Sequence, residues 1–93
     1  GAEAAPDYLL NPEPKYPEAA RRRGIQGVVV LDVQVLANGT AGPVHLAQSS
    51  GSGLLDDAAV EAVRLWRFRP ATRAGVPVDS TVSIPIRFRL QDR

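Results

Sequence analysis

"AVRLWRFRPA", residues Ala62–Ala71, crowds Trp66 and Phe68 among Arg64, Arg67 and Arg69 and stops on Pro70. Such a stretch is either a surface of cations and rings for nucleic acid or the end of a helix whose rings turn into a core. The residues just upstream decide. Leu55, Ala58, Ala59, Ala62, Val63 and Trp66 recur at i, i+3, i+4, i+7, i+8 and i+11, the spacing of one buried helical face. At about 100° per residue Arg64 lies roughly opposite Trp66, so ring and guanidinium face different ways. Proline disfavours helical geometry at Arg69. The helix is therefore expected to end near Arg67, with Arg64 and Arg67 in its last turn and Asp56 and Asp57 in its first, both complementing the dipole. Phe68 then swings back beneath the core, and Trp66, Phe68 and Pro70 are read as structural anchors. Nucleic-acid sheets stack bases on aromatics of an open strand face, and the strands here offer only Phe88, so no nucleic-acid partner is expected.

Upstream, "GVVVLDVQVLANGTAGPVHLAQSS" (residues 27–50) is dense in β-branched residues and carries Asn38-Gly39, a strong hairpin signal. Val29, Leu31, Val33 and Val35 share one face of its first strand, with Asp32 and Gln34 on the other. The second strand turns Val44 and Leu46 toward the same core, and Gly42-Pro43 is expected to introduce a bulge. Before the hairpin, "NPEPKYPEAARRRGIQG" reads as a short helix: Pro17 at its first position, Glu18 at its positive end, Arg21, Arg22 and Arg23 at the other, and Gly24 as its stop.

Downstream, "STVSIPIRFRL" alternates Val82, Ile84, Ile86, Phe88 and Leu90 inward with Thr81, Ser83, Pro85, Arg87 and Arg89 outward. Pro85 cannot donate to a ladder, which places this strand at a sheet edge with the proline nitrogen on the open side. Charges at Arg87 and Arg89 suit an exposed edge. The order α-β-β-α-β predicts an α+β domain: a three-stranded antiparallel sheet in order 2-1-3 with two helices packed on one face. Its free edge is a docking site for an extended peptide, through the backbones of Thr81, Ser83, Pro85, Arg87 and Arg89, or a surface for an edge-paired homodimer. Residues 14–93 form the domain, and residues 1–13 an extended or mobile segment, able to compete for the free edge.

At 93 residues the chain holds one small core, and 11 basic against 10 acidic residues leave no global field toward nucleic acid or membrane. It has no Cys, which excludes thiolate catalysis and disulfides. Ser49, Ser50 or Ser52 with His45 and Asp56 or Asp57 supply the residue types of a triad, but without a nucleophile-elbow context. His45 belongs to a solvent face, and the serines to a strand-to-helix turn. Asp56 and Asp57 point about 100° apart and do not chelate. No catalytic residue, metal site or cofactor is expected.

Taken together, Tyr16-Pro17, Gly27, Ser49-Ser50-Gly51, Leu55-Asp56, Trp66-Arg67-Phe68 and Pro70, with the closing "VSIPIRFRL", resemble the C-terminal domain of the TonB family, periplasmic energy transducers of Gram-negative bacteria. The resemblance runs from Pro14 to Leu90. It implies a periplasmic domain of a protein anchored in the inner membrane, which binds the TonB box of an outer-membrane transporter by strand addition. Inner-membrane proton-channel motor proteins, engaged through an N-terminal part outside this sequence, would then supply the pull that drives import of siderophore, haem or similar cargo. It also draws attention to the loop Glu13, Pro14, Lys15 and Tyr16 as a partner contact, although close relatives of the best-known transducers carry glutamine where Glu13 and Lys15 stand. The alternative is a TonB-like envelope module for structure or self-assembly without force transduction.

Overall fold

The computed structural model describes residues 4–6 and 11–91. Its elements are β1 (Ala5–Pro6), α1 (Glu18–Arg22), β2 (Gly27–Val35), β3 (Ala41–Gln48), α2 (Gly53–Val63), β4 (Phe68–Arg69), β5 (Ala71–Arg73), β6 (Val76–Val78) and β7 (Ser80–Phe88). Alternation makes β2 the spine: Val29, Leu31, Val33 and Val35 are all fully buried. Strands β3 and β7 flank it, both antiparallel, in the order β3-β2-β7, which is the expected α+β sheet. From α2, Leu55, Ala59 and Val63 are buried, and Ile84, Ile86 and Phe88 complete the core from β7. Full burial of each large aliphatic side chain contributes about 1.5–3 kcal/mol. No helix among the described residues is long and apolar enough to cross a membrane.

Helix α1 starts one residue later than expected, with Pro17 as its N-cap. It stops as the sequence requires: Ile25 N–H reaches Ala20 O and Gly24 N–H reaches Arg21 O, the paired bonds of a Schellman ending. In β3 the register shifts twice against β2, once around Gly42-Pro43 as expected and once between Gln48 and Leu46. Val44 packs against the core, but Leu46 does not follow it and is 47% exposed. It sits on an edge strand beside that second irregularity, where burial on one flank is lost.

The end of α2 departs further from expectation. The helix closes at Val63 with Arg64 as C-cap, so neither Arg64 nor Arg67 lies in its last turn. Leu65 N–H then bonds Ala62 O and Trp66 N–H bonds Val63 O, tighter contacts that unwind the chain at once. Trp66 still enters the core at 4% exposure, from a turn rather than from the helix. Its ring lies 6.4 Å from that of Phe68, and its indole N–H donates to Pro12 O at 2.9 Å.

Immediately after this turn the chain crosses the tip of the β2–β3 hairpin. Phe68 N–H donates to Gly39 O at 2.8 Å, and Thr40 bridges Arg67. Gly39 has φ +86, and a Cβ there would lie 2.6 Å from Phe68 O, so both its conformation and the crossing demand glycine. Asn11 clamps the other side, its amide donating to Arg67 O and its carbonyl oxygen accepting from Arg67 N–H, each at 2.7 Å. Within the N-terminal segment Ala5 and Pro6 pair with Arg69 and Phe68 of β4 and not with the β7 edge, while Asn11 and Pro12 bond Arg67 and Trp66. The rest of the expectation for residues 1–13 falls on residues 1–3 and 7–10, outside the described residues. The small β5–β6 hairpin, turning through Ala74 and Gly75, lies outside the expected elements.

The corner between β3 and α2 is organised by one carboxylate. Asp56 is only 9% exposed. Ser49 Oγ donates to its Oδ2, while Ser50 N–H and Ser50 Oγ donate to its Oδ1 at 2.9 and 2.8 Å. Burial pushes the carboxyl pKa up, but these three hydrogen bonds outweigh it and hold the group below its ordinary value of 3.8. Gly27 lets β2 start against this corner, because a Cβ there would meet Ser50 Cβ at 2.9 Å.

Two outcomes are expected. Trp66→Ala lowers stability by about 3–5 kcal/mol in a urea titration, and a midpoint close to that of the parent would remove Trp66 from the core. Because the folded-state pKa of Asp56 is depressed, its contribution is present above the unfolded value and is lost as pH falls through the folded one. The thermal midpoint of the parent chain therefore declines below pH 3.8, and Asp56→Asn declines less steeply over the same range. An equal acid dependence in the two proteins would contradict the assignment.

Candidate functional site

The residues expected at the free edge fall on β7 with one exception. Thr81, Ser83, Pro85 and Arg87 lie opposite Gln34, Asp32, Val30 and Val28 of β2, and all four are exposed. Arg89 is exposed too, but β7 ends at Phe88, so Arg89 lies beyond the strand. The reason is visible at the next residue: Leu90 N–H leaves the strand to donate to Gln26 Oε1 at 2.7 Å. Among the described residues β7 pairs with β2 alone, so its other edge carries no partner strand.

The loop Glu13, Pro14, Lys15 and Tyr16 is brought to the lower end of this strand through Tyr16. The Tyr16 ring meets Phe88 edge-on at 5.5 Å, and its hydroxyl donates to Ile25 O. The Arg21 guanidinium stands 5.7 Å from the Tyr16 ring centroid, in reach of a cation–π contact. Tyr16 is thereby fixed on three sides at the end of β7, while Glu13 and Lys15, both exposed, lie toward the outer side of α2. The anchors Trp66, Phe68 and Pro70 are not at the edge. Trp66 and Phe68 are core residues, and Pro70 is half-buried near the hairpin crossing.

The residue types of a hydrolytic triad do not converge. Ser49 and Ser50 spend their hydroxyls on Asp56, and His45 stands on β3 in register with Asp32. Among the described residues no three of His, Cys, Asp and Glu group as metal ligands. The outer side of α2 beside the loop is a feature that the sequence reading misses, because it puts Ala58 and Ala62 on the buried face, whereas both are half-buried and border this side. The signal is present in the sequence, as Leu54, Ala58, Ala62 and Leu65 recur at i, i+4, i+8 and i+11.

The family model described as the Gram-negative bacterial TonB protein C-terminal matches residues 12–90. The chain is similar to Protein tonB2 of Pseudomonas aeruginosa, 49% identical over 83 residues, covering 89% of this chain and 31% of that protein. It is also similar to Protein TonB of Vibrio cholerae, 43% identical over 79 residues, 85% of this chain and 32% of that one. The chain thus spans about a third of the length of the curated relatives it matches. Among solved structures, the solution NMR structure of the Pseudomonas aeruginosa TonB CTD superposes with a TM-score of 0.80 at 26% identity, covering 100% of this chain and 92% of that one. That of the Helicobacter pylori TonB-CTD superposes with a TM-score of 0.63 at 26% identity, over 87% and 85%. By sequence along most of its length and by fold, the chain belongs to the family of Gram-negative bacterial TonB C-terminal domains.

Proposed function

We propose that this domain is the non-catalytic periplasmic end of an energy transducer, and that it takes the TonB-box peptide of an outer-membrane transporter as an added strand on the outer edge of β7. The observation that carries the reading is that edge: nine residues from Ser80 to Phe88 with β2 on one side and, among the described residues, no strand on the other. Pro85 supports it further. Opposite Val30, a proline cannot complete a hydrogen-bonded pair, so the pair is of the other kind, and parity sends the main-chain groups of Thr81, Ser83 and Arg87 outward with it.

The energetics describe a transient coupling. About five backbone hydrogen bonds at roughly 1 kcal/mol each barely exceed an association cost of about 4 kcal/mol or more. Side chains supply the remainder. Arg87 and Arg89 favour an acidic residue in the peptide, and Tyr16, packed edge-on against Phe88, brings the Glu13 to Tyr16 loop to that end of the strand. In the proposed setting an inner-membrane anchor and motor proteins, engaged through a part of the protein outside this sequence, raise the effective concentration and supply the proton-driven pull for import of siderophore, haem or similar cargo.

Titrating the domain with a TonB-box peptide is expected to shift the backbone amides of β7 first. Proline at Ser83 or at Arg87 removes an outward donor and weakens binding at least tenfold, whereas Arg64→Ala leaves it unchanged. Shifts centred on His45 of β3, or undiminished binding by both proline variants in their folded state, would refute edge docking. Concentration-dependent pairing of β7 with β7, without peptide binding, would favour the self-assembly module instead.

A further inference from the structure

The loop from Glu13 to Glu18 runs past the outer side of α2 and leaves a groove of about 750 Å³ between them. The loop contributes Tyr16 and Pro17, and α2 contributes Ala58 and Ala62, whose short side chains leave the space open. Leu54 and Leu65 border the same groove, 39% and 78% exposed. Leu54 to Val63 at helical rise spans roughly 14 Å, and Leu65 lies in the turn just beyond, so the row is the reach of about four or five extended residues. Leu54 and Leu65, with the half-buried Ala58 and Ala62 between them, form one apolar row along the groove.

The charge around the groove narrows the occupant. Glu13, Glu18, Asp57 and Glu61 border it against Lys15 alone, while ten cations and six carboxylates lie elsewhere on the chain. Among the described residues none of the four carboxylates is held in an ion pair. Asp57 and Glu61 are four residues apart on α2, one above the other on the same face, and so offer two anionic points about 6 Å apart. Anionic headgroups are repelled by such a rim. A second copy of this chain does not supply the complement either: its own alternations of basic and apolar residues, Arg64–Arg69 and Ile86–Leu90, have Trp66, Phe68, Ile86 and Phe88 buried in the core, and Leu65, the one exposed large apolar residue in them, already lines the groove.

We propose that this groove docks a segment of a different protein in which leucine-like side chains are flanked by lysine or arginine. The apolar side chains cover Leu54, Ala58, Ala62 and Leu65, and the cations meet Asp57 and Glu61 at the rim. The groove uses no residue of β7, so it is a second docking surface, which shares only the Glu13 to Tyr16 loop with the proposed strand-edge site.

The test is a backbone-amide titration of the whole 93-residue chain with three synthetic peptides, KLKLLKLK, KSKSSKSK and ELELLELE. The first is expected to saturate, shifting amides between Leu54 and Leu65 and between Glu13 and Glu18. Each of the others binds at least tenfold more weakly, one lacking the apolar contact and the other the charge. Asp57→Lys with Glu61→Lys weakens the first peptide at least tenfold, and Ala58→Phe does so by filling the groove without changing its charge. Should the lysine pair unfold the domain, Asp57→Asn with Glu61→Gln carries the same test and is expected to lose at least threefold. Equal binding of the three peptides, shifts confined to β7, or unchanged affinity in these folded variants would overturn the proposal.

Discussion

The hydrogen bond from Phe68 N–H to Gly39 O holds together parts of the chain that share nothing in sequence. At this crossing the tip of the β2–β3 hairpin, the exit from α2 and the start of β4 meet within one contact, and Asn11 and Pro12 close it from the N-terminal side. Glycine at position 39 is required twice over, once for its positive φ and once because Phe68 O occupies the volume of a side chain. With the crossing in place Trp66 and Phe68 point inward together, so α2 is pinned over β2 at the end where the helix itself has already stopped.

Because the crossing and the Asp56 corner secure α2 at its two ends, the sheet beneath is held without any further layer over β7. That arrangement separates the two edges of the sheet. The β3 edge is interrupted by two register shifts and carries Pro43, which discourage a straight partner strand. The β7 edge runs in unbroken register with β2 for nine residues. An added strand therefore finds a regular ladder on one side of the molecule and an irregular one on the other.

Much of this was legible in the sequence, for identifiable reasons. Period-two alternation in β2 and β7 and the Asn38-Gly39 turn specify the sheet and its order, because a one-residue slip would expose Val29, Leu31, Val33 and Val35 together. What escaped was set by short-range geometry. The spacing that puts Trp66 on the helical face is equally satisfied by a tight turn, so periodicity alone overruns Val63. Ala74 adopts a positive φ of 50, a conformation for which alanine gives no sequence signal, and the β5–β6 hairpin was missed with it. Arg89 was placed on the strand by alternation, whereas Gln26 draws the chain away one residue later. The role of Asp56 was hidden because its partners, Ser49 and Ser50, precede it by seven and six residues, and a carboxylate in a first helical turn is already accounted for by the dipole.

The position of β2 between strands that come one before and one after the second helix has a consequence for how the domain is made. During synthesis β2 and β3 emerge early and can pair as a local hairpin, but the opposite flank of β2 waits for Ser80–Phe88, more than forty residues later. Until then a strand of valines and leucine presents an open backbone edge to whatever is nearby, and the contact that closes it is the most distant in the sheet. The nascent chain thus passes through an interval in which its future centre is its most adhesive surface. The proline in β7 leaves the finished edge one donor short, but it does nothing for that earlier one, which is protected only by the speed with which the rest of the chain arrives.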